Sequence, residues 1–263
     1  MKNAPKAVIY INFLAGQLLF DPRHIWSALI RARDSGKVSQ AAFDQIHTDL
    51  DQMAIYLGHR DYMLRAAVKQ LKLSLTTLAD LIPEPWSLPS QHGYGVVGNA
   101  QIFAERDRAL LAFDSALFEF RSYLELLATF IYRFLVGAGN PPISKVKHSS
   151  GDELEVVNKQ GKLKTHNFLR HLCDELSCTE DWYVFLSKHR NFFTHNGAPN
   201  VAIEDLLVRP PDFEFLIMRT NIHKFEHADP SDYFRLSELQ GVVDGVRTLA
   251  GAAEEKLVAL LDG

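Results

Sequence analysis

The chain has 263 residues, 47% hydrophobic and 23% charged, with a formal net charge of -4. That length and mix describe a folded chain able to bury a sizeable core in one or two domains, and they exclude a disordered polymer. The negative balance excludes a protein coated for nonspecific nucleic-acid binding, so any RNA contact must come from a local basic patch.

The first apolar run, Ala7 to Phe20 behind Lys2 and Lys6, has the outline of a secretion signal. Asn12 and Gln17 interrupt it, no small-x-small cleavage site follows, and it is too short to span a bilayer; it is expected to pack into the core. Trp26 to Arg33 predicts a short helix. Ser39 caps a second helix to about Leu57, with Phe43, Ile46, Leu50, Met53 and Leu57 at helical spacing. A third runs from Asp61 to Leu81 on a stripe of Leu64, Val68, Leu71, Leu75 and Leu78, the pattern of a core-facing helix rather than of a cofactor site. Pro83, Pro85 and Pro89, then Gly93, Gly95 and Gly98, break any helix and divide an amino-terminal helical region, 1–98, from a second domain, 99–263. Trp86 and Tyr94 inside that segment argue for an ordered strap.

Asn99 caps the longest helical pattern, to about Val136, with Leu110, Phe113, Leu117, Leu124, Leu127, Ile131 and Phe134 on its apolar face. Asp107, Asp114, Arg121, Glu125 and Tyr132 form a polar stripe, either solvated around an Arg121–Glu125 pair or facing the Arg190 helix, with its acids orienting the cations there. Between Ser144 and His171 lies the local basic excess, where Lys159, Lys162 and Lys164 are candidate phosphate contacts in a flap; surface solvation is the plainer alternative. Leu154–Val157 and Lys162–Lys164 read as a hairpin around an Asn158–Gly161 turn. Thr165 is expected to cap a helix to about Ser177, and Thr179 to open the next.

Cys173 and Cys178 give no disulfide framework, and five residues apart on a helix they point in different directions, which fits a reducing cytoplasm. The same five-residue gaps keep His166, His171, Cys173 and Cys178 from one tetrahedral point, and His223 and His227 follow a strand; neither a metal nor a cofactor is expected. Val201–Leu207 and Phe213–Arg219, divided by Pro210-Pro211, predict a two-stranded insert at about 200–220. Ser237 caps the last helix, striped by Leu239, Val243, Val246, Leu249, Ala253, Leu257 and Leu260.

The run Arg190-Asn191-Phe192-Phe193-Thr194-His195 ends a helical pattern from Glu180 to Thr194, closed by Gly197 and Pro199. It joins a phosphate-binding guanidinium, an amide and an imidazole that titrates near neutrality. Asn191 and His195 share a helix face, whereas Arg190 and His195 diverge by about 140 degrees. The run resembles the Arg-polar-x-x-x-His motif of the HEPN superfamily. The order long helix, basic loop, helix, motif helix, β insert, helix from Asn99 onward is similar to that family's four-helix domain.

The resemblance implies an all-α helical bundle with a four-helix carboxy-terminal half, from which the small β-hairpin insert and the helical region 1–98 depart. It also implies a metal-independent endoribonuclease with Arg190, Asn191 and His195 as catalytic residues, RNA as substrate and a homodimer as the active unit. Two alternatives stay open: a noncatalytic helical module that binds a nucleotide, nucleic acid or protein, and a toxin-like enzyme restrained by a separate antitoxin. No P-loop, dinucleotide-binding loop, Gly-x-Ser-x-Gly or His-Glu-x-x-His occurs, which removes support for kinase, dehydrogenase, hydrolase and zinc-protease readings.

Overall fold

A computed structural model describes residues 18–81, 100–196, 200–205, 213–218 and 233–263. Among them the fold is all-α in character: α1 (Pro22–Asp34), α2 (Gln40–Asp80), α3 (Ala100–Gly137), α4 (Thr165–Glu175), α5 (Asp181–Asn196) and α6 (Glu238–Asp262). Five short strands accompany them, β1 (Lys145–Lys147), β2 (Glu153–Glu155), β3 (Asn200–Asp205), β4 (Phe213–Met218) and β5 (Tyr233–Arg235). No helix among the described residues is long and apolar enough to cross a membrane. The expected strap and domain boundary at 82–99, and residues 7–17 of the first apolar run, lie outside the described residues.

The chain forms two compact units. One takes its described residues from Leu14–Met63, Phe120–Val184 and Asp244–Gly263. In it α1 starts four residues before the expected Trp26, because Asp21 accepts the Arg23 amide at 3.0 Å and Pro22 fills the first turn, where no amide hydrogen is needed. Phe20, Trp26 and Phe130 pack edge to face, with centroids 5.4 Å apart for Phe20–Phe130 and 6.3 Å for Trp26–Phe130. The start of α5 lies against α6, where Trp182 occupies the space that a side chain at Gly245 would need.

Three expectations are corrected in this unit. The helices expected at 39–57 and 61–81 are one, α2, since Leu57 and Leu64 are seven residues apart and keep phase. Asp61, 3% exposed, continues the buried stripe between them and accepts the Leu19 amide at 3.3 Å. Thr165 is the first helical residue of α4 rather than its cap, because Lys164 holds the cap position and no side chain bonds there. The strand at Leu154 pairs not with Lys162–Lys164 but with β1, Val146 opposite Leu154, because Val146 and the buried Leu154 share one face; a single Val157–Leu163 bridge remains of the expected hairpin. Its turn is as expected, with Asn158 Oδ1 accepting the Gln160 and Lys162 amides at 2.9 Å and Gly161 at φ +75°.

The end of α4 overturns the expectation for the cysteines. Leu176 caps the helix and Ser177 adopts φ +53°, a left-handed turn that reverses the chain. The Cys178 amide donates to the Cys173 carbonyl at 2.8 Å and the Ser177 amide to that of Asp174 at 3.2 Å, the paired bonds of a Schellman ending. Cys173 and Cys178 therefore flank one another across the cap instead of diverging along a helix.

The other unit takes its described residues from Leu64–Glu119 and Phe185–Val243. Its core gathers Leu64, Leu71 and Leu75 of α2, Phe113 and Leu117 of α3, and Phe215 and Ile217 of β4, all at 0% exposure. The insert is three-stranded rather than two-stranded: β3 and β4 pair antiparallel, Val201 opposite Ile217, and β5 adds itself to the other edge of β4. Glu214 accepts the Ser237 amide at 2.7 Å at the start of α6. The α6 stripe is buried as expected up to Leu257, but Leu260 is 50% exposed and Leu261 takes its place, since 257 to 261 is the closer match to one turn after four.

Candidate active site on helix α5

The buried positions of α5 are Trp182, Tyr183, Leu186, His189 and Phe193, the 3- and 4-residue steps of an amphipathic helix. Asp181 stands in its first turn, the favourable end for an acid, and the Tyr183 and Val184 amides bond to the Glu180 carbonyl at 2.9 and 3.0 Å.

At this first turn the Tyr183 hydroxyl and the arginines around it are hydrogen-bonded. Arg121 of α3 donates from Nη1 to the Tyr183 hydroxyl at 2.8 Å and from Nε to Glu125 at 2.6 Å. The Tyr183 hydroxyl lies 3.2 Å from His166 Nδ1, to which it can donate while the imidazole is neutral. Partial desolvation, then the Arg121 and Arg170 charges, hold His166 below the ordinary histidine range. Of the α3 polar stripe, Arg121 makes the expected i, i+4 pair with Glu125 and also reaches Tyr183 of α5, while Asp107 binds its neighbour Arg106 at 2.6 Å. Arg170 holds Glu180 at 2.7 Å and keeps its carboxyl below the usual range. The buried His148 places Nε2 3.4 Å from the carboxylates of Asp174 and Glu180.

The motif end differs. Phe193 is 3% exposed and sets its ring edge to face with Phe113, centroids 5.3 Å apart, which anchors this turn of the helix. Arg190 is half-buried, and its Nε is shut off from solvent with no hydrogen-bond partner among the described residues. Its Nη1 lies 3.5 Å from Asn191 Oδ1, at the limit for a hydrogen bond. Asn191 is exposed beside it. His195 belongs to the last turn of α5, which runs to Asn196; its side chain, with the stop residues Gly197 and Pro199, lies outside the described residues. Along α5, Asn191 and His195 hold i, i+4 positions and Arg190 lies five residues before His195.

Sequence reading passed over His189. It is 5% exposed, with its ring 4.2 Å from that of Phe185 and 6.5 Å from Phe193. The 182, 186, 189, 193 spacing was the available signal, but a histidine does not register in an apolar count.

The three candidate lysines separate into two kinds. Lys159 and Lys162 are exposed on the Asn158–Gly161 turn, whereas Lys164 is bound to Glu155 and draws that carboxyl below its usual range. Among the described residues no three His, Cys, Asp or Glu side chains converge where a metal ion could sit. No family model matches the chain, and no curated protein or solved structure matches it.

Proposed function

We propose that the chain is a metal-independent endoribonuclease of HEPN type, with Arg190, Asn191 and His195 as its working residues. The observation that supports this reading most is Arg190. A guanidinium N–H withdrawn from water without an acceptor costs on the order of 1–3 kcal/mol; no described residue offers one to Arg190 Nε, and in this reading a bound phosphate oxygen does. Arginine suits that role because it stays charged at any physiological pH and offers several donors in a fixed fork.

The reaction requires loss of a proton from a 2'-hydroxyl, attack of that oxygen on phosphorus, and departure of the 5'-oxygen with a proton, leaving a 2',3'-cyclic phosphate. Arg190 stabilises the charge that accumulates on the non-bridging oxygens. His195 moves the proton, and Asn191, one turn before it, fixes the imidazole tautomer or holds a phosphate oxygen. One imidazole does not readily serve both sides of one phosphorus, so the active unit in this reading is a two-fold dimer that brings two motifs to one cleft.

The test is RNA incubated with purified protein in excess chelator, wild type beside His195→Ala, with the product ends identified. Cutting by the wild type alone, ending in cyclic phosphate, supports the reading. No cutting of structured or unstructured RNA by either protein rejects it and favours a binding module. Mixing Arg190→Ala with His195→Ala subunits tests the dimer: activity regained in the mixture supports a composite site, and a monomeric, fully active wild type rules it out.

A further inference from the structure

We propose that Cys173 and Cys178 are a redox modification site, a thiol pair that closes into an internal disulfide across the carboxy-terminal cap of α4. The left-handed Ser177 and the amide of Cys178 bonded to the carbonyl of Cys173 bring the first and last residues of this six-residue reversal side by side. In a Schellman ending those two positions are the ones whose side chains meet, and a disulfide needs α-carbons about 4.4–6.8 Å apart with side chains turned toward one another. The Cys178 thiol is committed to no stronger partner than the Leu176 carbonyl, at 3.6 Å.

The two sulfurs are not equivalent, and that sets the order of events. Cys173 is 1% exposed, while Cys178 is partly open to solvent. A low-molecular-weight disulfide such as oxidised glutathione therefore meets Cys178 first. The Cys178 thiolate attacks one sulfur, the S–S bond breaks, and one glutathione thiolate leaves, giving a mixed disulfide. Cys173, having given up its proton, then attacks Cys178 Sγ from within and releases the second glutathione thiolate. Two protons leave the protein and two electrons pass to glutathione.

Burial, then the neighbouring Cys178 and the Glu180 and Asp174 carboxylates, push the Cys173 thiol up to about 12, so the closing step is slow near neutrality and accelerates as pH rises. A thiol reluctant to ionise also makes a poor leaving group, which favours the closed disulfide once it has formed. Redox chemistry here is independent of the nuclease reading.

The experiment treats the folded full chain with oxidised glutathione at mildly alkaline pH, traps free thiols with an alkylating agent under denaturing conditions, and reads intact mass and peptides. The wild type is expected to lose two hydrogens and to yield one cross-linked Cys173–Cys178 peptide, faster at higher pH. Cys173→Ser is expected to stop at a glutathione adduct on Cys178, and Cys178→Ser to leave Cys173 unmodified. Ser177→Gly, which accepts the left-handed turn without strain, is expected to close at least as fast as the wild type. A wild type that stays reduced, accumulates the adduct on Cys178, or links between chains overturns the proposal.

Discussion

At the start of α5 the fully buried Tyr183 hydroxyl meets Arg121 at 2.8 Å and His166 at 3.2 Å, whereas near its end Arg190 keeps Nε inside the protein with no acceptor among the described residues. One helix thus carries a satisfied polar cluster and an unsatisfied one. The first is what a folded chain does to stabilise itself, because a buried polar group costs free energy unless it is bonded. The second costs stability, and such a group is understandable where a ligand completes it. The difference fits the proposed function, in which the Tyr183 end anchors the helix and the Arg190 end meets the substrate.

The anchoring end should break most severely at Gly245. Gly245→Ala drives a methyl into Trp182 and is expected to destabilise by about 2 kcal/mol, although alanine is the better helix former by about 1 kcal/mol. Denaturant unfolding measures this, and an unchanged or raised midpoint would show that α6 shifts freely away from Trp182.

Tyr183→Phe removes the hydroxyl shared by Arg121 and His166 and should cost about 1–2 kcal/mol. The same denaturant curves check it, and a neutral outcome would mean that the cluster adds nothing to the fold. If RNA cleavage falls far more than stability in this variant, the division of labour between the two ends is wrong.

A smaller effect concerns pH. The folded protein holds His166 below its ordinary value, so the unfolded chain binds the proton first as pH falls. The stabilisation is fully present above the ordinary histidine value, about pH 6.5, and is lost as pH drops through the lower folded value. Melting temperature should therefore decline more from pH 7 to about pH 5 in the wild type than in His166→Gln. Parallel declines would remove His166 as the titrating group.

Smallest is the lysine turn. Lys159→Gln with Lys162→Gln should reduce the slope of log affinity against log salt by about 1.4 for single-stranded RNA, two lost phosphate contacts, while Lys164→Gln, whose amine already holds Glu155, should change it little. An unchanged slope in the double variant detaches the turn from RNA.

How much of this the sequence disclosed depends on whether the chain kept one periodicity. The α3 stripe from Leu110 to Phe134 is buried throughout, because 38 residues of uninterrupted helix leave no ambiguity of phase. In α2 the buried Asp61 looked like a break in an apolar pattern, although Leu57 and Leu64 stay in register around it. The cysteine pair was hidden by Ser177, since a left-handed turn is easily foreseen at glycine and seldom at serine. β5, three residues long, is too short to show alternation. At the candidate site the residue types of Arg190, Asn191 and His195 were legible, but the enclosure of Arg190 Nε was not, because it depends on what the fold lays over it.

The central claim is that Arg190 is held for a phosphate rather than for the fold. Cleavage of RNA in excess chelator should be measured for Arg190→Ala against wild type, with the melting curve of each taken in the same buffer. The account predicts a rate at least about a hundredfold lower with a melting temperature within a few degrees of wild type, since Nε bonds to none of the described residues. A variant that cuts RNA at the wild-type rate, or whose melting curve collapses, would contradict it.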